Sequence, residues 1–257
     1  MCIRDSINRL KSLLSKQQKT LVSLMHINNE IGTMIDLDEI GNICNNSNTL
    51  FHSDTVQTIG HFPLDLSSIN IDFLTCSAHK FHGPKGVGFV YINEKNKAFP
   101  LIEGGEQERG MRGGTESTHN IYGLKVALEE AYKNLYDDQE KVKSLKESFS
   151  KEIFNSIDNV KVNGSFKKSS YTILNLRFPI SIEKKDLISF KLELAGIACS
   201  SGSACQSGSS EPSHVLSEIL SEDEMKKISI RFSFSKFNTK DEIIYAADSV
   251  KKILSEC

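Results

Sequence analysis

The sequence predicts an α/β fold in two parts, and three observations carry that prediction. Short apolar runs of strand length alternate with stretches of helical period. In the first half the order of elements is that of βαβ crossovers, which place helices on a sheet of mainly parallel strands. From about residue 117 into the 150s a Glu- and Lys-rich helical pattern divides the chain, giving expected domains of 1–133 and 134–257. The 257 residues, 39% hydrophobic and 25% charged, are apolar enough to bury a large core.

Each element has its own local reason. Ile7, Leu10, Leu13 and Leu14 follow helical spacing, and residues 20–25 (TLVSLM) read as a short buried strand. A loop over 26–32 follows. Asp36 with Glu39 three residues later has the form of a capping box, opening a helix to about Cys44. Strands return at 50–53, 73–76 and 87–91, and the glycine-rich stretch 104–114 leads into the long helix. In the second half a strand is expected at 172–178 and a helix at 186–194. A Ser/Gly-rich loop over 200–210, a short helix at 214–220 and a strand at 229–234 follow. Thr239 with Glu242 caps the last helix.

Composition removes several classes of function. Thirty-one Lys+Arg against 33 Asp+Glu leave a net charge of −2, so no basic stripe marks a nucleic-acid partner. No segment supplies the roughly 20 apolar residues of a membrane-spanning helix. The start, MCIRDS, lacks the apolar core of a signal peptide, and six scattered cysteines form no disulfide framework. A reduced, cytoplasmic setting is expected. Cys199, Cys205 and His214 lack the paired spacing of a structural zinc site, so no metal is expected.

Five stretches carry chemistry. The segment 75–88 (TCSAHKFHGPKGVG) puts Lys80 just beyond a strand, beside Ser77 and His79. Alone such a lysine reads as a surface cation, yet α/β sheets place ligands beyond their strands' carboxyl ends, where lysine can form a Schiff base with a carbonyl cofactor. Asp54, 26 residues upstream in FHSDTVQTIG, is either a loop cap or the anion that a pyridoxal ring nitrogen requires. Gln57 could bond that cofactor's phenolic oxygen. In MHINNEIG (25–32) the Asn pair either makes a turn or orients a carboxylate or phenolate. Cys199 follows an apolar run and reads as a small core residue, whereas Cys205 sits among Ser and Gly, as a mobile nucleophile would. Arg231, inside the strand SIRFSF, is either structurally paired or a bidentate clamp for a carboxylate.

Together the pieces resemble the NifS/IscS-type cysteine desulfurases of the class V aminotransferase family. The resemblance rests on VSLMHINNEIGT, LFHSDTVQTIGHFPLDL, SAHKFHGPKGVGFVYI, GGEQERGMRGGTE, GIACSSGSACQSGSSEPSHVL and IRFSFSKFNTKDEI, which span nearly the whole chain. It implies the fold of pyridoxal-phosphate-dependent transferases of fold type I, with an incomplete large domain of mainly parallel sheet and a smaller α+β carboxyl-terminal domain. The resemblance makes Lys80 the cofactor-bearing lysine, Asp54 the partner of the ring nitrogen and Gln57 that of the phenolic oxygen. Ser77 and His79 would bond the phosphate, and Thr115 the phosphate of a neighbouring subunit in a homodimer. Asn29 and Arg231 would hold the carboxylate of L-cysteine, with Asn29 also beside the cofactor, and Cys205 would take the sulfur as a persulfide. The sulfur would pass to an acceptor or scaffold protein for iron–sulfur cluster assembly or tRNA thiolation. By the same pattern the chain begins inside the large domain, beyond the family's Gly-Thr phosphate pair and ring-stacking histidine. Selenocysteine lyase or another pyridoxal-phosphate lyase is the alternative chemistry, and an inactive fragment that only docks on partners is the alternative without chemistry.

Overall fold

The structure, a computed structural model, describes residues 3–16, 18–200 and 212–256. It forms two compact units: one takes the chain up to His26 together with Ile35–Leu135, the other takes Ile27–Met34 together with the chain from Tyr136 onward.

The first unit is built on a four-stranded sheet in the order β1 (Leu21–Met25), β2 (Leu50–Asp54), β3 (Phe73–Ser77), β4 (Gly88–Ile92). The first three strands are parallel and β4 is antiparallel to β3. Helix α1 (Ile3–Leu14) precedes β1, and α2 (Leu37–Asn46) makes the β1–β2 crossover. Asp36 begins α2 as expected, its Oδ1 accepting the Glu39 amide at 2.9 Å. Leu37, Ile40 and Cys44 recur on one side of α2 and bury against Val22, Phe51, Ile71 and Leu74, with Ile7, Leu10 and Leu14 of α1 packed alongside. A separate cluster of Ile59, Cys76, Ala78, Phe81 and Ala131 brings in α3 (Thr118–Lys133). At Gly88 an added Cβ would lie 2.1 Å from the Cys76 carbonyl oxygen, so only glycine lets β4 start this close to the end of β3.

The single long helix expected from about residue 117 is instead two, α3 and α4 (Leu135–Ser156), interrupted at Asn134. The Asn134 side chain donates to the Glu130 carbonyl at 3.3 Å, the acceptor its own amide would use in a continuous helix, and asparagine competes with helical geometry in this way. The break falls one residue before the first unit ends at Leu135.

The second unit is an antiparallel sheet, β5 (Lys161–Val162), β6 (Ile173–Ser181) and β7 (Lys227–Ser233), with helices α4, α5 (Lys185–Leu194), α6 (His214–Ile219), α7 (Glu222–Met225) and α8 (Lys240–Ser255). Period-two alternation gives the sheet two different faces. Leu174, Leu176 and Phe178 of β6 and Ile228, Ile230 and Phe232 of β7 join a core with Phe149 and Ile153 of α4, Ile188 and Leu192 of α5, and Ala247 and Val250 of α8. Phe149 packs on the Phe232 ring at 4.7 Å and edge-on against Phe234 at 5.7 Å. The alternate residues of the same strands, Asn175, Arg177, Ser229 and Arg231, are polar. The capping box read at Thr239 and Glu242 is present in full at the start of α8.

Segment 27–34 belongs with this second unit despite its place in sequence. Thr33 bridges Ser169, Ser170 donates to the Gly32 carbonyl at 2.8 Å, and the Asn175 amide donates to the Glu30 carbonyl at 3.0 Å.

Candidate functional site

In the first unit the candidate residues gather at the carboxyl edge of the parallel strands. Met25 pairs with Asp54 and Asp54 with Thr75, so β1, β2 and β3 end almost level. Beyond Asp54 the Thr55 amide and hydroxyl both donate to the Thr75 carbonyl, at 3.1 and 2.8 Å, and the chain turns through half-buried Gln57 to Thr58. Asp54 Oδ1 accepts the Val56 amide at 2.9 Å, and its other oxygen accepts no hydrogen bond among the described residues.

From β3 the chain passes through Ser77 into a single 3₁₀ turn, Ala78–Phe81. Ala78 and Phe81 are buried in the core below, which leaves His79 and Lys80 exposed above. Backbone bonds from Ala78 N to Val87 O (3.0 Å) and from Gly83 N to Ala78 O (2.9 Å) close the loop. His61 Nε2 lies 2.9 Å from the Lys80 carbonyl oxygen, and since a carbonyl only accepts, that nitrogen carries the proton. The Lys80 ammonium makes no hydrogen bond or ion pair among the described residues. Ser77 Oγ lies 3.3 Å from His79 Nδ1, and Thr115 is exposed after the Gly113-Gly114 turn.

The sequence reading missed His26 at the end of β1. Its amide donates to the Asp54 carbonyl at 2.9 Å, and its Nδ1 lies 2.8 Å from the Thr58 hydroxyl. Burial pushes its pKa down to about 4 against the opposing pull of Asp36, so the ring is neutral near pH 7. Its signal in sequence was a histidine ending an apolar strand, a pattern that core histidines share.

In the second unit Asn28 shapes the turn and leaves Asn29 available. Asn28 Oδ1 accepts the amides of Glu30 and Ile31 at 2.9 and 3.0 Å, its carbonyl accepts the Gly32 amide, and Gly32 adopts a φ of +71°. The Asn29 side chain makes no hydrogen bond among the described residues, while its carbonyl accepts an Arg231 guanidinium N–H at 2.9 Å. Arg231 thus has a structural bond as well as a place beside Asn29. Behind the turn runs a buried polar chain the sequence reading also missed. Asn163 donates to Asn175 (2.9 Å) and to Ser229 (2.9 Å) and accepts from Arg177 (3.0 Å), which also pairs with Glu224. Asparagine and arginine at alternate places in the apolar strand ILNLRF are the sequence signal for it.

Cys205 lies outside the described residues. Among the described cysteines, burial raises Cys44 and Cys199 to about 11 and Cys76 to about 12, so all three are protonated thiols near neutral pH. Cys199 packs against the second unit's core, as expected of a small apolar residue.

The residues at the sheet edge fit pyridoxal phosphate. A lysine whose amine is unengaged, an aspartate with one open oxygen, and hydroxyl and imidazole donors after β3 match an aldehyde, a pyridinium N–H and a phosphate in turn.

The aminotransferase class-V family profile matches residues 4–245. The cysteine desulfurase IscS of Clostridium botulinum strain Hall is 42% identical over 252 residues, covering 98% of this chain and 63% of that protein. The cysteine desulfurase IscS of Dictyoglomus turgidum is 39% identical over 247 residues, covering 96% and 62%. The NifS-like protein of Rickettsia africae superposes with a TM-score of 0.87 at 30% identity, covering 97% of this chain and 66% of that one. The chain spans about three fifths of the length of the curated relatives it matches. The family and its NifS/IscS members depend on pyridoxal phosphate. Among the described residues no helix is long and apolar enough to cross a membrane. With its matched residues, its sheet and its NifS/IscS relatives, the chain belongs to the aminotransferase class-V family.

Proposed function

We propose that this chain serves a cysteine desulfurase, converting L-cysteine to L-alanine and leaving the sulfur as a persulfide on Cys205 for iron–sulfur cluster assembly or tRNA thiolation. One observation supports the reading beyond pyridoxal-phosphate chemistry in general: of the described residues flanking the segment that holds Cys205, Ser200 is bonded to Arg231 and Ser213 to the residue next to Asn29. Ser200 exchanges backbone hydrogen bonds with Arg231, at 2.7 and 3.1 Å, and Ser213 donates to Glu30, the neighbour of Asn29, at 2.5 Å. Transamination has no use for a thiol carried in sequence between these two bonded positions, whereas sulfur transfer does.

Each residue then has a task. Asn29 and Arg231 hold the carboxylate, which fixes the orientation of Cα and of the sulfur beyond it. Asp54 keeps the ring nitrogen protonated, Gln57 bonds the phenolic oxygen, and Ser77 and His79 bond the phosphate, with Thr115 reaching the phosphate of the second subunit in a homodimer. Bound there, pyridoxal phosphate supplies the electron sink for charge developing at the substrate's Cα. Lys80, which would hold the cofactor at rest, takes the Cα proton as a free amine. The Cys205 thiolate attacks the substrate sulfur, so that an S–S bond forms as the C–S bond breaks. The electron pair of that C–S bond stays on carbon, which is protonated and leaves as alanine. The protonated state of the three described cysteines supports assigning this role to Cys205. The scattered sequence spacing of the six cysteines favours a reducing, cytoplasmic setting.

The test is stoichiometric. Supplied with pyridoxal phosphate, L-cysteine and a reducing thiol, the chain should release alanine and sulfide in equal amounts. Cofactor uptake without either product would contradict the reading and favour a role in docking on partners.

A further inference from the structure

Glu30 is buried to 2% exposure, yet no cation pairs with it among the described residues. A buried carboxylate without a cation carries a desolvation cost that a glutamine or an apolar residue at the same place would largely avoid. Its partner is the Ser213 hydroxyl, at 2.5 Å across 183 residues of sequence. Ser213 is engaged a second time, since the same hydroxyl accepts the Leu216 amide at 3.1 Å as the cap of α6. The Glu30 amide and carbonyl are separately held by Asn28 and Asn175, so the side chain is not needed to form the turn. A charge-assisted bond, about twice as strong as a neutral one, is therefore spent on fixing where the chain re-enters the fold after the Cys205 segment.

We propose that Glu30 is a positioning residue for sulfur transfer, acting through Ser213 to anchor the downstream root of the segment that carries Cys205. The proposal rests on the reading of Cys205 as sulfur acceptor. It assigns Glu30 no contact with substrate or cofactor, and it places the effect on the transfer step rather than on cysteine binding, because the turn presenting Asn29 keeps its own bonds.

Two readouts separate this proposal from the functional reading it rests on. In the cofactor-free chain, Glu30→Ala should speed amide hydrogen exchange over residues 212–220 by about tenfold, the loss of one charge-assisted bond, while leaving the β6–β7 core unchanged. In the chain supplied with pyridoxal phosphate, the same variant should slow first-turnover persulfide formation by about tenfold with the KM for cysteine unchanged. Glu30→Gln, whose amide oxygen still accepts from Ser213, should recover most of both. Should Glu30→Ala fail to fold, Glu30→Met fills a similar volume without offering Ser213 an acceptor, and it should show the same two effects. Unchanged exchange over 212–220, or a raised KM with an unchanged transfer rate, would overturn the anchor. A wild-type chain that takes up the cofactor and forms no persulfide would overturn the desulfurase reading, while the exchange experiment would still judge the anchor by itself.

Discussion

Ser200 and Arg231 exchange both of their backbone hydrogen bonds, at 2.7 and 3.1 Å, so the chain enters the segment that holds Cys205 from a bridge onto β7. The guanidinium of the same Arg231 donates to the Asn29 carbonyl. One strand position thereby links the segment's upstream root to the turn at Asn29.

Arg231→Lys should separate the clamp from the scaffold. The backbone bridge to Ser200 needs no particular side chain, but a lysine cannot bond a carboxylate bidentately and reach the Asn29 carbonyl as well. The KM for cysteine should rise by about tenfold or more, corresponding to a lost charge-assisted bond, with the thermal midpoint changed by only a few degrees. Titration with cysteine and a melting curve measure the two. An unchanged KM would leave Arg231 a purely structural residue.

Cys205→Ser should bind the cofactor and give its visible absorbance band as the wild type does, because Cys205 has no part in cofactor attachment. Sulfide release from cysteine should fall to background. Retained turnover would move the nucleophile elsewhere.

His26 makes the first unit sensitive to mild acid. Its pKa is lowered from 6.5 to about 4 in the folded chain. Between those values the unfolded state binds the proton and the folded state resists it, so stability falls as pH drops from about 6.5 to 4. The full effect is on the order of 3 kcal/mol. Urea midpoints measured across that range should slope downward toward acid, and His26→Gln should flatten the slope. Equal slopes would show that other groups set the acid limit.

Phe149→Ala removes the ring that joins α4 to β7 at the centre of the second unit's core. A loss of about 3–5 kcal/mol is expected in denaturant unfolding. A loss below about 1 kcal/mol would mean that the core closes around the gap.

Local chemistry was the legible part of this sequence. Asp36 and Thr239 mark helix starts within one residue, because a cap is a bond between neighbours. Among the described residues apolar runs locate every strand except two-residue β5, and the ends of β2 and β3 follow directly from where Asp54 and Ser77 stop the apolar pattern. The interruption at Asn134 was not legible, since its helical flanks carry the same Glu/Lys-rich period on both sides. Nor was the membership of segment 27–34. Nothing near it in sequence points to Ser169, Asn175 or Arg231, and the bonds that place it span more than a hundred residues. For the same reason His26, Glu30 and Asn175 were missed, as each gains its meaning from a distant partner. Lys80, Asp54, Ser77 and His79 are placed on one sheet edge by the fold. Their roles came from the resemblance rather than from any single spacing.

The proposed chemistry requires Lys80 to be the amine that holds the cofactor. Incubation with pyridoxal phosphate, reduction with borohydride and peptide mass mapping read this directly. A single stable adduct on Lys80, absent from Lys80→Ala, is the predicted result. An adduct on Lys85 or another lysine, persisting in Lys80→Ala, would contradict it.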